Sequence, residues 1–218
     1  MPVLARHDAA FDAVIFDLDG TLIDTESLSL AAGLDAFASL GAAVEVEFLH
    51  CLIGKDRPAC ARLIGAHRPD LDLVALNTHW RAGFDQRIAS GLTAKPGALA
   101  LVAALRLPLA VVTSSDRDGA IWKLAQAGLA TAFGHVITLD DVTCAKPAPE
   151  PYLLAATRMA VAPARCVAFE DSEAGAEAAQ AAGMVVVQVP DLLPTTGRFA
   201  HHVVPDLLSG ARLVGLIG

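Results

Sequence analysis

A wound α/β sheet carrying an all-helical insertion is the fold class this sequence predicts, and three observations predict it. Short apolar runs without a helical period recur at residues 11–16, 109–113, 166–169 and 184–189. Helical patterns separate the later runs from one another. Between the first run and the second, from residue 25 to about 92, only helical patterns occur. Strands covered on both faces read as continuous apolar runs, and strand–helix alternation implies right-handed crossovers and a parallel sheet.

Each element has its own signal. The run 11–16 (FDAVIF) stops abruptly at Asp17-Leu-Asp-Gly-Thr. A helix over 27–40 ends at Gly41, and helices over 58–66 and 70–89 follow. Residues 93–97 (TAKPG) form a return linker, because Pro-Gly breaks any helix. A helix over 98–105 leads through Pro108 to the strand 109–113, and a helix over 118–127 ends at Gly128. Residues 136–138 are a weaker strand candidate, followed by a helix over 149–159. The strand 166–169 precedes a helix over 173–182 that ends at Gly183, and the last strand, 184–189, ends at Pro190. Glycine just past a helical pattern is the expected C-terminal stop. The domain boundaries that follow are 1–24 plus 93–218 for an α/β core and 25–92 for a helical cap.

Composition narrows the function. Of 218 residues 54% are apolar and 18% charged, which excludes a disordered chain. Sixteen Lys and Arg against 24 Asp and Glu give a net charge of −8, so nucleic acid and anionic membranes are not expected partners. An anionic ligand must then be held by a local positive site. The most apolar window, 96–115, is interrupted by Arg106 and Pro108, short of the roughly 20 residues a membrane span needs. Residues 1–12 carry Arg6, His7, Asp8 and Asp12 and no signal-peptide core, so a cytoplasmic chain is expected, as a monomer or weak homodimer. Cys51, Cys60, Cys144 and Cys166 lack zinc-knuckle spacing and are expected to be reduced and mostly buried, Cys51 in the core. Trp80 and Trp122 are expected to pack helices, and His201 and His202 to lie at the surface.

Ligands of open α/β sheets bind outside the carboxyl ends of the strands. The first strand ends in Asp17 and Asp19, the second in Thr113, Ser114 and Ser115, and a later one in Glu170 and Asp171; Lys146 stands in a loop between prolines and alanines. Clustered carboxylates raise one another's pKa, and a hard divalent cation relieves this; oxygen-only ligation points to Mg²⁺. A phosphate dianion can then bind hydroxyls, backbone N–H groups and the lysine. One carboxylate can attack phosphorus to give an aspartyl-phosphate, while a second, two residues on, handles the leaving group's proton and later activates water. Phosphoryl transfer is the chemistry this residue set suggests.

The ordered set Asp17-Leu-Asp-Gly-Thr, Thr113-Ser-Ser, Lys146-Pro and Glu170-Asp-Ser resembles the four motifs of the haloacid dehalogenase-like (HAD) phosphohydrolases. The likeness runs from about residue 11 to 189, with local matches at Asp24-Thr-Glu and Glu170-Asp-Ser-Glu-Ala-Gly. It is similar to the helical-cap subgroup that holds sugar-phosphate phosphatases and β-phosphoglucomutase. The resemblance implies Asp17 as nucleophile and Mg²⁺ ligand. It implies Asp19 as general acid/base, lending its backbone carbonyl to the metal. Thr113 and Ser114 would hold the phosphate, and Lys146 would bridge phosphate and nucleophile, close enough for both to grip one small anion. Asp171 would complete the metal site, with Glu170 as a ligand or just behind it. In the cap, Lys55 and Arg57 of Gly54-Lys-Asp-Arg are candidate substrate contacts, as is Glu26, which could instead cap the first cap helix.

β-Phosphoglucomutases typically place a His in the first cap helix and a Lys before the cap-loop Gly; here these positions hold Ser29 and Ile53. Both departures favour hydrolysis over mutase chemistry. Asp19 argues against dehalogenation and also against a non-catalytic phosphometabolite binder, which need not keep it. The expectation is a Mg²⁺-dependent phosphatase acting on a small phosphorylated metabolite, a sugar phosphate by class.

Overall fold

The computed structural model describes residues 11–53 and 57–218, with only the backbone of residues 57 and 58. A six-stranded, all-parallel sheet forms its centre, in the order β3-β2-β1-β4-β5-β6. The strands are β1 (Ala13–Phe16), β2 (Leu109–Val112), β3 (His135–Ile137), β4 (Cys166–Glu170), β5 (Val185–Gln188) and β6 (His202–Val203). Alternation explains why the central runs look uniformly apolar. Val14 and Phe16 point into one layer with Val111, Phe169 and Val187, against helices α5 (Ala98–Ala104), α6 (Arg117–Gln126) and α9 (Leu207–Leu213). Ala13 and Ile15 point the other way with Ala110 and Ala168, against α7 (Glu150–Met159) and α8 (Glu173–Ala181). Small strand residues meet the Ala-rich face of α8 there. Burying a side chain such as Phe16 contributes roughly 1.5–3 kcal/mol.

Between β1 and α5 the described residues form four helices, α1 (Glu26–Ser39), α2 (Val46–His50), α3 (Arg57–His67) and α4 (Leu73–Ser90). They enclose a separate apolar cluster of Phe37, Leu49, Leu52, Ile64 and Leu76, with Trp80 packed against it. The two connecting segments pair with each other: Asp24 N–H donates to the Thr93 carbonyl at 3.0 Å and Lys95 N–H to that of Leu22 at 2.8 Å.

The sheet differs from the sequence expectation mainly at its edges. The weak candidate at 136–138 is a true edge strand, and β6 and α9 add to the core where no element was expected. β6 is two residues long, too short for a periodic signal. α4 begins at Leu73 and not at residue 70, because the Asp72 side chain accepts from Val74 N–H at 2.8 Å and fixes the helix start there. The cysteine expectation is corrected: only Cys166 is buried, while Cys51 and Cys144 are exposed. Cys51 terminates the five-residue α2 on its solvent side, where its neighbours Leu49 and Leu52 already fill the cluster. Trp80 does pack between helices, its indole N–H donating to the Ser29 carbonyl at 2.9 Å. His201 is exposed. Among the described residues no helix is long and apolar enough to cross a membrane.

Candidate active site

Register brings the polar strand ends level. Phe16 pairs with Val111 on one side and Phe169 on the other, so Asp17, Thr113 and Glu170 leave adjacent strands together. Lys146 reaches this edge from the loop before α7. Its ammonium donates to Asp17 Oδ1 at 2.6 Å, Glu170 Oε1 at 2.6 Å and the Val112 carbonyl at 2.9 Å. Tyr152 of α7 donates to the same Glu170 oxygen at 2.7 Å, and Ser172 Oγ to the other at 3.0 Å. Glu170 is wholly buried, and the room for it comes from Gly175: a β-carbon there would stand 1.8 Å from Glu170 Oε1. Both Glu170 oxygens thus accept from protein donors, and the residue anchors Lys146.

Asp17 Oδ2 is buried and has no partner among the described residues. Ligand atoms of Asp17, Glu170 and Asp171 lie within 4.8 Å of one another. Two of these three carboxylates, Asp17 and Glu170, pair with the Lys146 ammonium. Burial pushes the Asp17 carboxyl up to about 7, Glu170 adding to the rise and Lys146 opposing it. Burial, then Asp17 and Glu170, raise Asp171 well above the usual carboxylate range. Burial works against the charge on Lys146, but Asp17 and Glu170 outweigh it and raise its pKa. Gly20, at φ +86°, keeps space open beside Asp171; a β-carbon there would lie 2.4 Å from Asp171 Oδ2. An orphaned buried carboxylate oxygen, further carboxylates within reach and a gap that only glycine leaves make a donor set fitted to a hard cation.

Asp19 is held quite differently. Its Oδ1 accepts from Lys123 Nζ at 2.7 Å and Thr25 Oγ1 at 2.8 Å, and its Oδ2 from Ser115 Oγ at 2.9 Å. Burial opposes its charge, yet Lys123, Thr25 and Ser115 hold the carboxyl below its ordinary value. The two carboxylates, two residues apart, thus sit in different surroundings, Asp17 on Lys146 and Asp19 on Lys123. Lys123 was not among the residues singled out from the sequence, and Ser115 and Thr25 were noted there only as parts of motifs, without a role. One signal was available: Lys123 interrupts the stripe Ala120, Leu124 and Ala127, all buried against the sheet. A charge on such a stripe needs a partner.

Thr113 is buried, and its hydroxyl accepts from Ser115 N–H at 3.1 Å; Ser114 is exposed at the strand end. Beside them opens a cleft of about 1340 Å³ between the helical insertion and the sheet edge. Glu26, Ser29 and Ile53 line it from the insertion, and Ser114, Ser115 and Lys123 from the core. Asp17, Lys146 and Asp171 are not among its walls, and the cleft approaches the carboxylates through Glu26 and the 114–123 segment. Glu26 is the first residue of α1, and burial, with Asp19 and Asp191 nearby, raises its pKa. Lys55 and the side chain of Arg57 lie outside the described residues.

Comparison with known proteins agrees with this geometry. Residues 11–183 match the haloacid dehalogenase-like hydrolase family. The fructose-1-phosphate phosphatase YqaB of Escherichia coli (strain K12) is 35% identical over 185 residues, 82% of this chain and 96% of that one. An HAD family hydrolase from Deinococcus radiodurans R1, solved with bound phosphate and sodium, superposes with a TM-score of 0.83 at 26% identity, over 96% of this chain and 99% of that one. A Thermotoga maritima protein provisionally assigned as a β-phosphoglucomutase superposes with a TM-score of 0.78 at 28% identity, over 94% and 97% of the two chains. The chain belongs to the haloacid dehalogenase-like hydrolases and is a phosphohydrolase of the sugar phosphatase and phosphomutase type.

Proposed function

We propose that this protein hydrolyses the monophosphate ester of a small sugar-like metabolite through an aspartyl-phosphate on Asp17. The observation that carries the reading is the buried contact of Lys146 with both Asp17 and Glu170, with Asp19 two residues on and held separately. A carboxylate oxygen of Asp17 attacks phosphorus as the ester P–O bond breaks, and Asp19 gives the leaving oxygen its proton. Asp19 then takes a proton from water as that water attacks the phosphoenzyme, which releases inorganic phosphate and restores Asp17. Lys146 holds the nucleophile and neutralises phosphoryl oxygens, and Thr113 and Ser114 fix the phosphate through hydroxyl and N–H groups. Asp17, Asp171 and the Asp19 carbonyl, with Glu170 behind them, would hold Mg²⁺, which would supply the charge neutralisation that lets a dianion approach the carboxylates.

Residues 25–92 act in this reading as a cap over the cleft, with Glu26, Lys55 and Arg57 as its substrate contacts and hinges at the paired segments near residues 22–24 and 92–95. The sugar-phosphate class is supported by the likeness to a fructose-1-phosphate phosphatase. Mutase chemistry is the second reading, supported by the likeness to the Thermotoga maritima protein. Ser29 and Ile53 speak against it, since both line the cleft where a mutase needs a second proton-transfer or cationic group.

A phosphometabolite panel with Mg²⁺ tests the reading, with Asp17→Asn as blank. Phosphate release from a sugar phosphate, lost with EDTA and in the blank, is the expected result. Interconversion of sugar phosphates that requires a bisphosphate primer, without net phosphate release, identifies a mutase. Inertness across the panel by a folded, Mg²⁺-loaded protein points to a binder.

A further inference from the structure

Lys95, in the return linker between the helical insertion and α5, pairs with Asp191, which follows β5. The pair is 96 residues apart in sequence. The Asp191 side chain is only 8% exposed, and Lys95 occupies its Oδ1 alone. Its Oδ2 is buried and has no partner among the described residues. That oxygen lies 3.4 Å from the point where a β-carbon of Gly20 would stand, and Asp171 Oδ2 lies 2.4 Å from the same point. Asp191 and Asp171 thus both border the gap that Gly20 keeps open, and Asp171 belongs to the cation-fitting cluster.

A buried carboxylate oxygen without a donor is costly and does not persist without a ligand to satisfy it. Lys95 cannot supply that donor, since its ammonium sits on Oδ1. Hydrated hard cations can: Mg²⁺ keeps several of its waters when bound, and each water donates. Carboxylates that accept from such waters, or from the ligands themselves, typically change metal affinity 10- to 100-fold.

We propose that Asp191 belongs to the cation site, its Oδ2 accepting from a water that a divalent cation retains, while Lys95 orients it and offsets part of its charge. The proposal rests on the Mg²⁺ reading above. It adds a residue from outside the four motifs, and it gives the return linker a part in cation binding.

Titration calorimetry of the full chain with MgCl₂, on the wild type, Asp191→Asn and Lys95→Met, tests it, with thermal melts alongside. Asp191→Asn is expected to weaken Mg²⁺ binding by roughly 10-fold or more. Lys95→Met, which removes a positive charge but keeps the carboxylate, is expected to tighten it by roughly 5-fold. Opposite signs are the signature. If both variants melt lower while their Mg²⁺ affinities stay within about twofold of wild type, Asp191 only anchors the linker and the proposal is overturned. Should Asp191→Asn not fold, Lys95→Met decides alone: unchanged or weaker affinity overturns the idea. A wild type that takes up no Mg²⁺ at millimolar concentration defeats the cation reading itself, whatever the variants do.

Discussion

The sheet edge and the helical insertion bury opposite kinds of side chain. At the edge, Asp17 and Lys146 are at most 9% exposed at their side chains and Glu170 is wholly buried. In the insertion the largest fully buried side chains are Phe37, Leu49, Leu76 and Ile88, and ion pairs such as Arg81–Asp85 stand in solvent. The insertion is thus held by ordinary burial of apolar area. The edge keeps two carboxylates on one ammonium and a third beside them, at a cost in desolvation that packing elsewhere must offset. Charge concentrated where it destabilises is the pattern of a site kept for chemistry, and the cleft beside it is lined by the insertion.

The sharpest way to break this comparison is Asp19→Asn. It should lower kcat/KM for an alkyl phosphate by roughly 10²- to 10⁴-fold. The loss for p-nitrophenyl phosphate, whose leaving oxygen needs no proton, should be far smaller. Equal losses on both substrates would show that Asp19 binds substrate and does not serve the leaving group. Next in size is Glu170→Gln, which leaves Lys146 with one anion and alters a fully buried network; urea unfolding should register a loss of about 3–5 kcal/mol. In the insertion, Leu76→Ala should cost about 3 kcal/mol by cavity formation. Its kcat on p-nitrophenyl phosphate should stay near wild type at temperatures where the variant remains folded. A collapse of that rate would mean that cap packing and chemistry are not separable.

The smallest effect concerns pH, at Asp141 beside β3. Burial works against its charge, yet the Thr138 N–H and hydroxyl, Arg158 and Arg117 hold the carboxyl down at about 2. A carboxyl lowered from its unfolded value of about 3.9 contributes stability above that pH and loses it as pH falls through about 2. Asp141→Asn should therefore melt below wild type at pH 6, and the gap should close between about pH 4 and 2. A gap that stays constant over that range would assign the difference to lost hydrogen bonds and not to charge.

Much of this molecule was readable along the chain. The apolar runs around Val14, Val111, Phe169 and Val187 are buried on both faces, so they carry no polar alternation and stand out as core strands. Residues immediately after such runs must emerge at the sheet edge, which is why Asp17, Thr113, Glu170 and Asp171 could be named as one site. The edge strand β6 left too short a trace, and the exposed Cys51 and Cys144 gave no local sign of which side of a helix or loop they would occupy.

What the sequence by itself determined was the order of elements and the chemistry at the strand ends, because burial period, turn residues and acidic clusters are local properties of a chain. Only the tertiary structure decided that Lys123 faces Asp19, that Tyr152 and Ser172 fix Glu170, and that Lys95 meets Asp191 beside Gly20. The physical reason is distance along the chain. A charged side chain becomes committed only when packing removes its water and leaves one partner within reach, and that partner is chosen by how helices settle on the sheet.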